Sequence, residues 1–144
     1  MNISDLMSSD HCRLSKMLDE FKNSIGSDGQ KSNFHDFRWE LEKHLFIEEK
    51  AIFTFAHPED KDDFKAIPEL EREHDIILDF LDKIERGINE GKNQEAREYV
   101  EGMSDFLAKH RKFEDSEIYP KLDVELSEEQ KKIITKRIMD LNSN

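Results

Sequence analysis

The chain is short of everything that irregular or cross-linked folds depend on: one cysteine, three prolines and five glycines in 144 residues. A lone Cys12 permits no internal disulfide and fits a reducing compartment. No apolar run approaches the roughly 18–20 residues that cross a bilayer, and the N-terminus lacks the basic-then-apolar pattern of a leader, so a cytoplasmic protein is expected. Positive charge is scarce as well. Twenty-two Lys and Arg stand against 34 Asp and Glu, a formal net charge of −12. Nucleic acid is excluded as a partner, because phosphate binding needs a basic field. An anionic membrane surface is disfavoured for the same reason.

What is present is helical pattern. Hydrophobic residues make up 35% and charged residues 39%, the mixture produced by helices with one apolar stripe and broad solvated faces. A single all-α domain over residues 1–144 is expected, with a core bundle over about 5–120. A first helix is predicted over about 5–25, ending before Gly26 and Gly29. A second runs over about 32–56 and stops at His57–Pro58, because the residue before proline is pushed out of helical space. Acidic residues 59–63 read as a loop or short turn. Pro68 suits the first turn of a third helix reaching about 90, where Asn89 and Gly91 close it. A fourth is predicted over about 93–119, with Pro120 as its end. Ser127 and Gln130 form a capping box for a short C-terminal fifth helix over about 127–141.

Each long helix carries a stripe at three- and four-residue spacing. The stripes are Met7, His11, Leu14, Leu18, Phe21, Ile25; then Phe37, Leu41, His44, Glu48, Ile52, Phe55; then Ile67, Leu70, His74, Ile77, Leu81, Ile84, Ile88; then Val100, Met103, Leu107, His110, Glu114, Ile118. Their only polar members are four His and two Glu. These sit in a phrase that occurs twice: His44 and His110 each precede a Glu by four residues, followed by a second acid, Ile and an aromatic. An acid–His pair precedes each phrase, Asp10–His11 and Glu73–His74.

A lone His on an apolar face is usually a hydrogen-bonded core residue. The conjunction argues otherwise, since unpaired buried carboxylates are costly without cations. Both Glu lie one turn from a His on the same face, as shared coordination requires. Depth agrees too. Measured from the turn near residues 26–31, His11 is level with the span from His44 to Glu48, and measured from the 90–93 turn, His74 and His110 are level. Two such hairpins supply ligands for two metal ions. His35, half a turn out of phase, is expected to face solvent, and His57 to lie at a helix end. Imidazoles with carboxylates suit iron, manganese or zinc. The Glu-x-x-His pattern of ferritin-like di-iron bundles is absent, because Leu41 and Leu107 stand three residues before His44 and His110.

The ordered set His, His-x3-Glu, His, His-x3-Glu resembles the hemerythrin-like family of HHE cation-binding domains over roughly residues 5–120. The resemblance implies an up-down-up-down four-helix bundle around an oxo- or hydroxo-bridged di-iron centre. By it, His11 and His44 would serve one iron, His74 and His110 the other, and Glu48 and Glu114 would bridge them. The pattern departs from animal oxygen carriers, which have a fifth His one turn along the third helix, where this chain has Leu70 and Leu78. Their last carboxylate is an Asp five residues after His, a place held here by Asp115, so Asp115 is an alternative to Glu114. The four-His set is closer to domains of iron-sensing ubiquitin-ligase subunits and of iron–sulfur-cluster repair proteins, although the cysteine-bearing segment of the latter is missing.

The expectation is a protein that binds or senses dioxygen, another diatomic, or iron and redox state, rather than an enzyme. The alternative is a di-iron enzyme acting on peroxide or nitric oxide, or an iron donor in cluster repair. Phe46, Phe53, Phe106, Phe113 and Tyr119 are read as core residues or walls of a gas path. Trp39 is read as covering an edge, and Cys12 as a small buried or semi-exposed residue.

Overall fold

The structure, a computed structural model, describes residues 2–56 and 64–143. It is all-helical among those residues. Helix α1 spans Ile3–Ser24 and α2 spans Gln30–Ile47, continued by a π-helical turn at Glu48–Ile52 and a 3-10 turn at Phe53–Phe55. Helix α3 spans Ile67–Asn89, and α4 spans Asn93–Phe113, continued by a second π-helical turn at Glu114–Ile118. Helices α5 (Tyr119–Glu125) and α6 (Glu128–Asn142) complete the chain. The long helices form an up-down-up-down bundle in which α1 pairs chiefly with α2 and α3 with α4.

Local chemistry explains the boundaries. Asn2 caps α1 by accepting from the Asp5 amide, while Asp123 on α5 accepts from the Ile3 and Ser4 amides at 2.7 and 3.0 Å. The start of α1 is thereby tied to the far end of the chain. Gly26 and Gly91, at φ 93° and 72°, take the left-handed conformation that turns each hairpin. Pro68 lies in the first turn of α3, and Ser127 with Gln130 forms the expected capping box on α6. The expected acidic turn at 59–63, like His57, lies outside the described residues.

Three expectations are corrected. Pro120 does not end the fourth helix, because the π turn closes just before it. Pro120 then occupies the first turn of α5, where a missing amide donor costs nothing. Cys12 is exposed rather than buried or semi-exposed, as expected of a position adjacent to the inward-facing His11. Trp39 is exposed and covers no edge.

The stripes bury as read except at Phe55, which is only partly buried because the π turn shifts the phase and brings Phe53 inward instead, and the core divides in two. One cluster, with Leu14, Phe21, Phe37, Ile77, Leu81, Ile84 and Met103, fills the end holding the hairpin turns. The other, with Met7, Ile52, Ile67, Leu70, Ile118 and Leu122, fills the opposite end, where α6 adds Ile134 and Ile138. Every long helix passes from one cluster to the other through a polar residue: Met7–His11–Leu14, Leu41–His44–Glu48–Ile52, Leu70–His74–Ile77 and Leu107–His110–Glu114–Ile118. The six polar residues therefore form a layer across the middle of the bundle. The apolar clusters on either side fix the helices that carry it. Leu81→Ala, in the cluster remote from α6, is expected to destabilise the chelator-treated protein by about 2–5 kcal/mol in denaturant unfolding.

Candidate metal centre

Apart from Tyr119 with its hydroxyl, His11, His44, Glu48, His74, His110 and Glu114 are the only buried polar or charged side chains among the described residues, and the two Glu are completely buried. They assemble into two overlapping groups. His11 and His44 stand with Glu48 and Glu114, and His74 and His110 stand with the same two carboxylates; within each group the ligand atoms lie within 4.8 Å of one another. All six residues singled out in the sequence are thus brought together. His35 is exposed and takes no part.

The π turns explain why the repeated phrase ends in an aromatic. Each begins at the layer's carboxylate and closes from residue i to residue i+5: the Phe53 amide donates to the Glu48 carbonyl, and the Tyr119 amide to the Glu114 carbonyl. This wider turn brings the fifth residue back over the layer. Phe53 stacks on His74 with ring centroids 6.3 Å apart, and Tyr119 lies over His11 at 6.0 Å. The Tyr119 hydroxyl, also fully buried, donates to Glu48 Oε2.

Each imidazole is oriented by an acid from the helix before it around the bundle. The His44 Nδ1–H donates to Asp10 at 2.5 Å, His74 to Glu49 at 2.8 Å, His110 to Glu73 at 2.7 Å, and His11 to Asp115 at 3.2 Å. The acids come in turn from α1, from the π turn after α2, from α3, and from the π turn after α4, which closes the ring onto α1. With Nδ1 engaged, each ring aims Nε2 inward, the tautomer a metal-binding imidazole needs. Asp115 thus pairs with His11, while Glu114 lies in the central layer. The sequence carried a signal for all four acids, since each is adjacent to a layer residue: Asp10–His11, Glu48–Glu49, Glu73–His74, Glu114–Asp115. Their role as partners across helices was not legible from adjacency.

The atoms left over fit a cation. His74 Nε2, His110 Nε2, Glu48 Oε1 and both Glu114 oxygens are buried without a hydrogen-bond partner. Buried polar atoms are almost always paired, and here five unpaired ones converge on one layer. In the metal-free chain, protons partly fill the gap. Burial works against charge at Glu48, but His44 and further hydrogen bonds hold its carboxyl well below the usual range. Burial, reinforced by neighbouring Glu48, pushes Glu114 well above it. His44 resists its burial through Glu48 and Asp10 and rises to about 9, and His74 is raised by Glu48 and Glu49. Burial lowers His11 and His110.

A cleft of about 370 Å³ opens beside the layer between α3 and α4, lined by Leu70, Phe106 and Phe113 with Glu73, Lys109 and His110. Of the aromatic positions named in the sequence, Phe106 and Phe113 wall this cleft. Phe53 and Tyr119 are buried over the site, and Phe46 is half exposed.

These shifts carry a pH dependence. A His whose pKa is higher in the folded chain contributes stability that is complete below its unfolded value of 6.5 and is lost as pH rises through the folded one. Glu114, also raised, acts in the same direction, whereas His11 and His110, lowered on folding, act oppositely until their unfolded forms have lost their protons about a pH unit above 6.5. Chelator-treated protein should therefore lose melting temperature as pH rises from about 7.5 to 9. Metal-loaded protein should not, because ligation replaces those protons; calorimetry across that range checks both.

The family comparison agrees with this geometry. The model of the hemerythrin HHE cation binding domain matches residues 2–122, which takes in all four long helices and both His-x3-Glu phrases. No curated protein and no solved structure matches the chain. With most of its length matched and a buried His/Glu layer built for cations, the chain belongs to the hemerythrin HHE cation-binding family.

Proposed function

We propose that the layer holds two iron ions, and that the protein binds or senses dioxygen, or a related diatomic, at this centre. His11 and His44 hold one ion and His74 and His110 the other, with Glu48 and Glu114 shared. The observation that carries this reading is the sharing itself: both carboxylates belong to both ligand groups, each group completed by its own pair of imidazoles. Mixed imidazole and carboxylate donors suit iron, with manganese and zinc as chemical competitors. Four imidazoles and two shared carboxylates do not fill two six-coordinate ions, even with a bridging oxygen, so a position on each remains for a small ligand. Bound iron would supply redox chemistry and an open site. The protein supplies orientation through the ring of acids and a dry surround from the two apolar clusters.

Among the described residues, no side chain near the layer is placed as a nucleophile or as a free general acid, which favours binding over turnover. A second reading, consumption of peroxide or nitric oxide or donation of iron, draws support from the cleft that reaches His110 and Glu73. Reversible visible absorption changes on cycling oxygen over the ferrous protein would support the first reading. Steady consumption of peroxide or nitric oxide with a reductant would support the second.

Elemental analysis of protein expressed with iron should find about two metal ions per chain. Glu48→Ala and His110→Ala should each lose metal and lower the melting temperature of the as-isolated protein; retention of full metal content would refute the ligand assignment. Asp10→Asn leaves the ligands in place but removes the charge that orients His44. It should weaken metal affinity by about 10–100-fold in competition titrations.

A further inference from the structure

The inner atoms of the layer are sealed. His74 Nε2, His110 Nε2, Glu48 Oε1 and both Glu114 oxygens are all buried, so a small molecule that reaches them needs an opening in the bundle. The hairpin pairs α1–α2 and α3–α4 are the close ones, which leaves the α2–α3 and α4–α1 seams. Arginines cross both seams, with different partners. Arg38 on α2 reaches carboxylates on α3, Asp82 at 2.7 Å and Glu85 at 3.4 Å. Arg111 on α4 reaches neutral oxygens on α1: its Nη1–H groups donate to Ser15 Oγ at 3.0 Å and to the His11 carbonyl at 3.4 Å. Its Nε–H donates to the Leu107 carbonyl on its own helix at 3.3 Å.

A cavity of about 10 Å³, room for roughly one water-sized molecule, adjoins Arg111. Apolar side chains including Leu14 and Leu107 wall it, and His44, Glu48 and His110 close it toward the layer. Every other residue that lines it is buried, whereas Arg111 is half-buried. The Arg111 side chain is therefore the part of the wall that meets solvent. Swinging it out returns its charge to water and leaves only neutral acceptors behind. The same swing at Arg38 gives up ion pairs with two carboxylates. The helices need not part for Arg111 to move: Asp115 bonds to Ser8 and His11 on one side of it, and Arg97 holds the Ile25 carbonyl on the other.

We propose that Arg111 is a latch on the α4–α1 seam. Closed, it seals the cavity and the layer behind it; open, it admits small neutral molecules to the layer's inner face. The latch belongs to the bundle and operates whatever the layer holds. The cleft beside Glu73 and His110 is a separate approach, at the outer edge of the imidazole, where Nδ1 is already bonded.

The test reads how fast a thiol in the cavity wall is labelled in full-length protein as isolated. Exposed Cys12 is first removed by Cys12→Ser, and Leu14→Cys then puts a thiol in the wall. Methyl methanethiosulfonate, a small neutral reagent, labels it, and intact mass gives the rate. With Arg111 in place, labelling should be slow. Ser15→Ala removes one hydrogen bond from a charged donor and should speed labelling about tenfold. Arg111→Ala removes the latch and should speed it further. Arg38→Ala, which unpins the other seam, should leave the rate unchanged. Leu81→Cys, away from the cavity, reports general loosening and should not respond to Arg111→Ala. Equal rates with and without Arg111 overturn the proposal. So does an equal acceleration at Leu81→Cys, the mark of a merely structural arginine, or an equal acceleration by Arg38→Ala. If Arg111→Ala does not fold, Ser15→Ala decides, and an unchanged rate there overturns the proposal.

Discussion

Two carboxylates buried at the centre of an apolar bundle are the constraint that the rest of the structure answers to. Burying an ionised carboxylate without a partner is among the costliest things a fold can do, and Glu48 and Glu114 are buried completely and side by side. The metal-free chain copes by sharing protons: Glu114 is driven toward its neutral form, while Glu48 stays charged against a protonated His44. That is a poor substitute, because five ligand atoms on four of these residues still lack a hydrogen-bond partner. A cation satisfies them in one step. The layer is therefore a weakness in the bare fold and a source of stability in the loaded one, as expected where metal binding and folding are coupled.

The ring of acids shows how the layer is kept in register. Each imidazole is held by a carboxylate from the preceding helix, so no ligand is oriented by its own helix alone. Rotating one helix would break the bond it gives and the bond it receives. Exposed ion pairs contribute little to stability, but these four are partly buried and link neighbouring helices at the level of the site. Their contribution lies in geometry. The apolar clusters above and below hold the helices at a given separation, and the ring sets their rotation.

Much of this was legible in the sequence because it depends on period and level. Helical phase put His11, His44, His74 and His110 on core faces, and distance from the hairpin turns put them at one depth. The Glu at i+4 followed from the same period. What could not be read depends on departures from that period. The π turns have no signature in composition, and they carry Tyr119 and Phe53 back over the site and let Pro120 open a new helix. Asp10, Glu49, Glu73 and Asp115 were visible as neighbours of layer residues, yet their partners lie 25 to 104 residues away. Such pairings are set by how the helices are rotated, and a stripe pattern fixes that rotation too coarsely to name a hydrogen bond. The cleft by His110 was beyond reach for a similar reason: aromatic spacing alone does not separate Phe53, which is buried over the site, from Phe113, which lines an opening.

The repeat also limits how symmetric the centre can be. Two copies of His-x3-Glu-acid-x2-Ile-aromatic, on hairpins facing each other, would by themselves build two equivalent half-sites, and the oriented imidazoles come close to that. Equivalence fails at one atom, the hydroxyl that Tyr119 has and Phe53 lacks. In water such a difference would be negligible. In a layer sealed by apolar clusters, that single donor gives Glu48 a hydrogen bond that Glu114 lacks, and no solvent competes for it. The cleft adds a second asymmetry, since it reaches His110 and Glu73, on the half that carries Phe53. The phenol lies over His11 and the opening lies beside His110, so the tethered end of the layer and the accessible end are different ends.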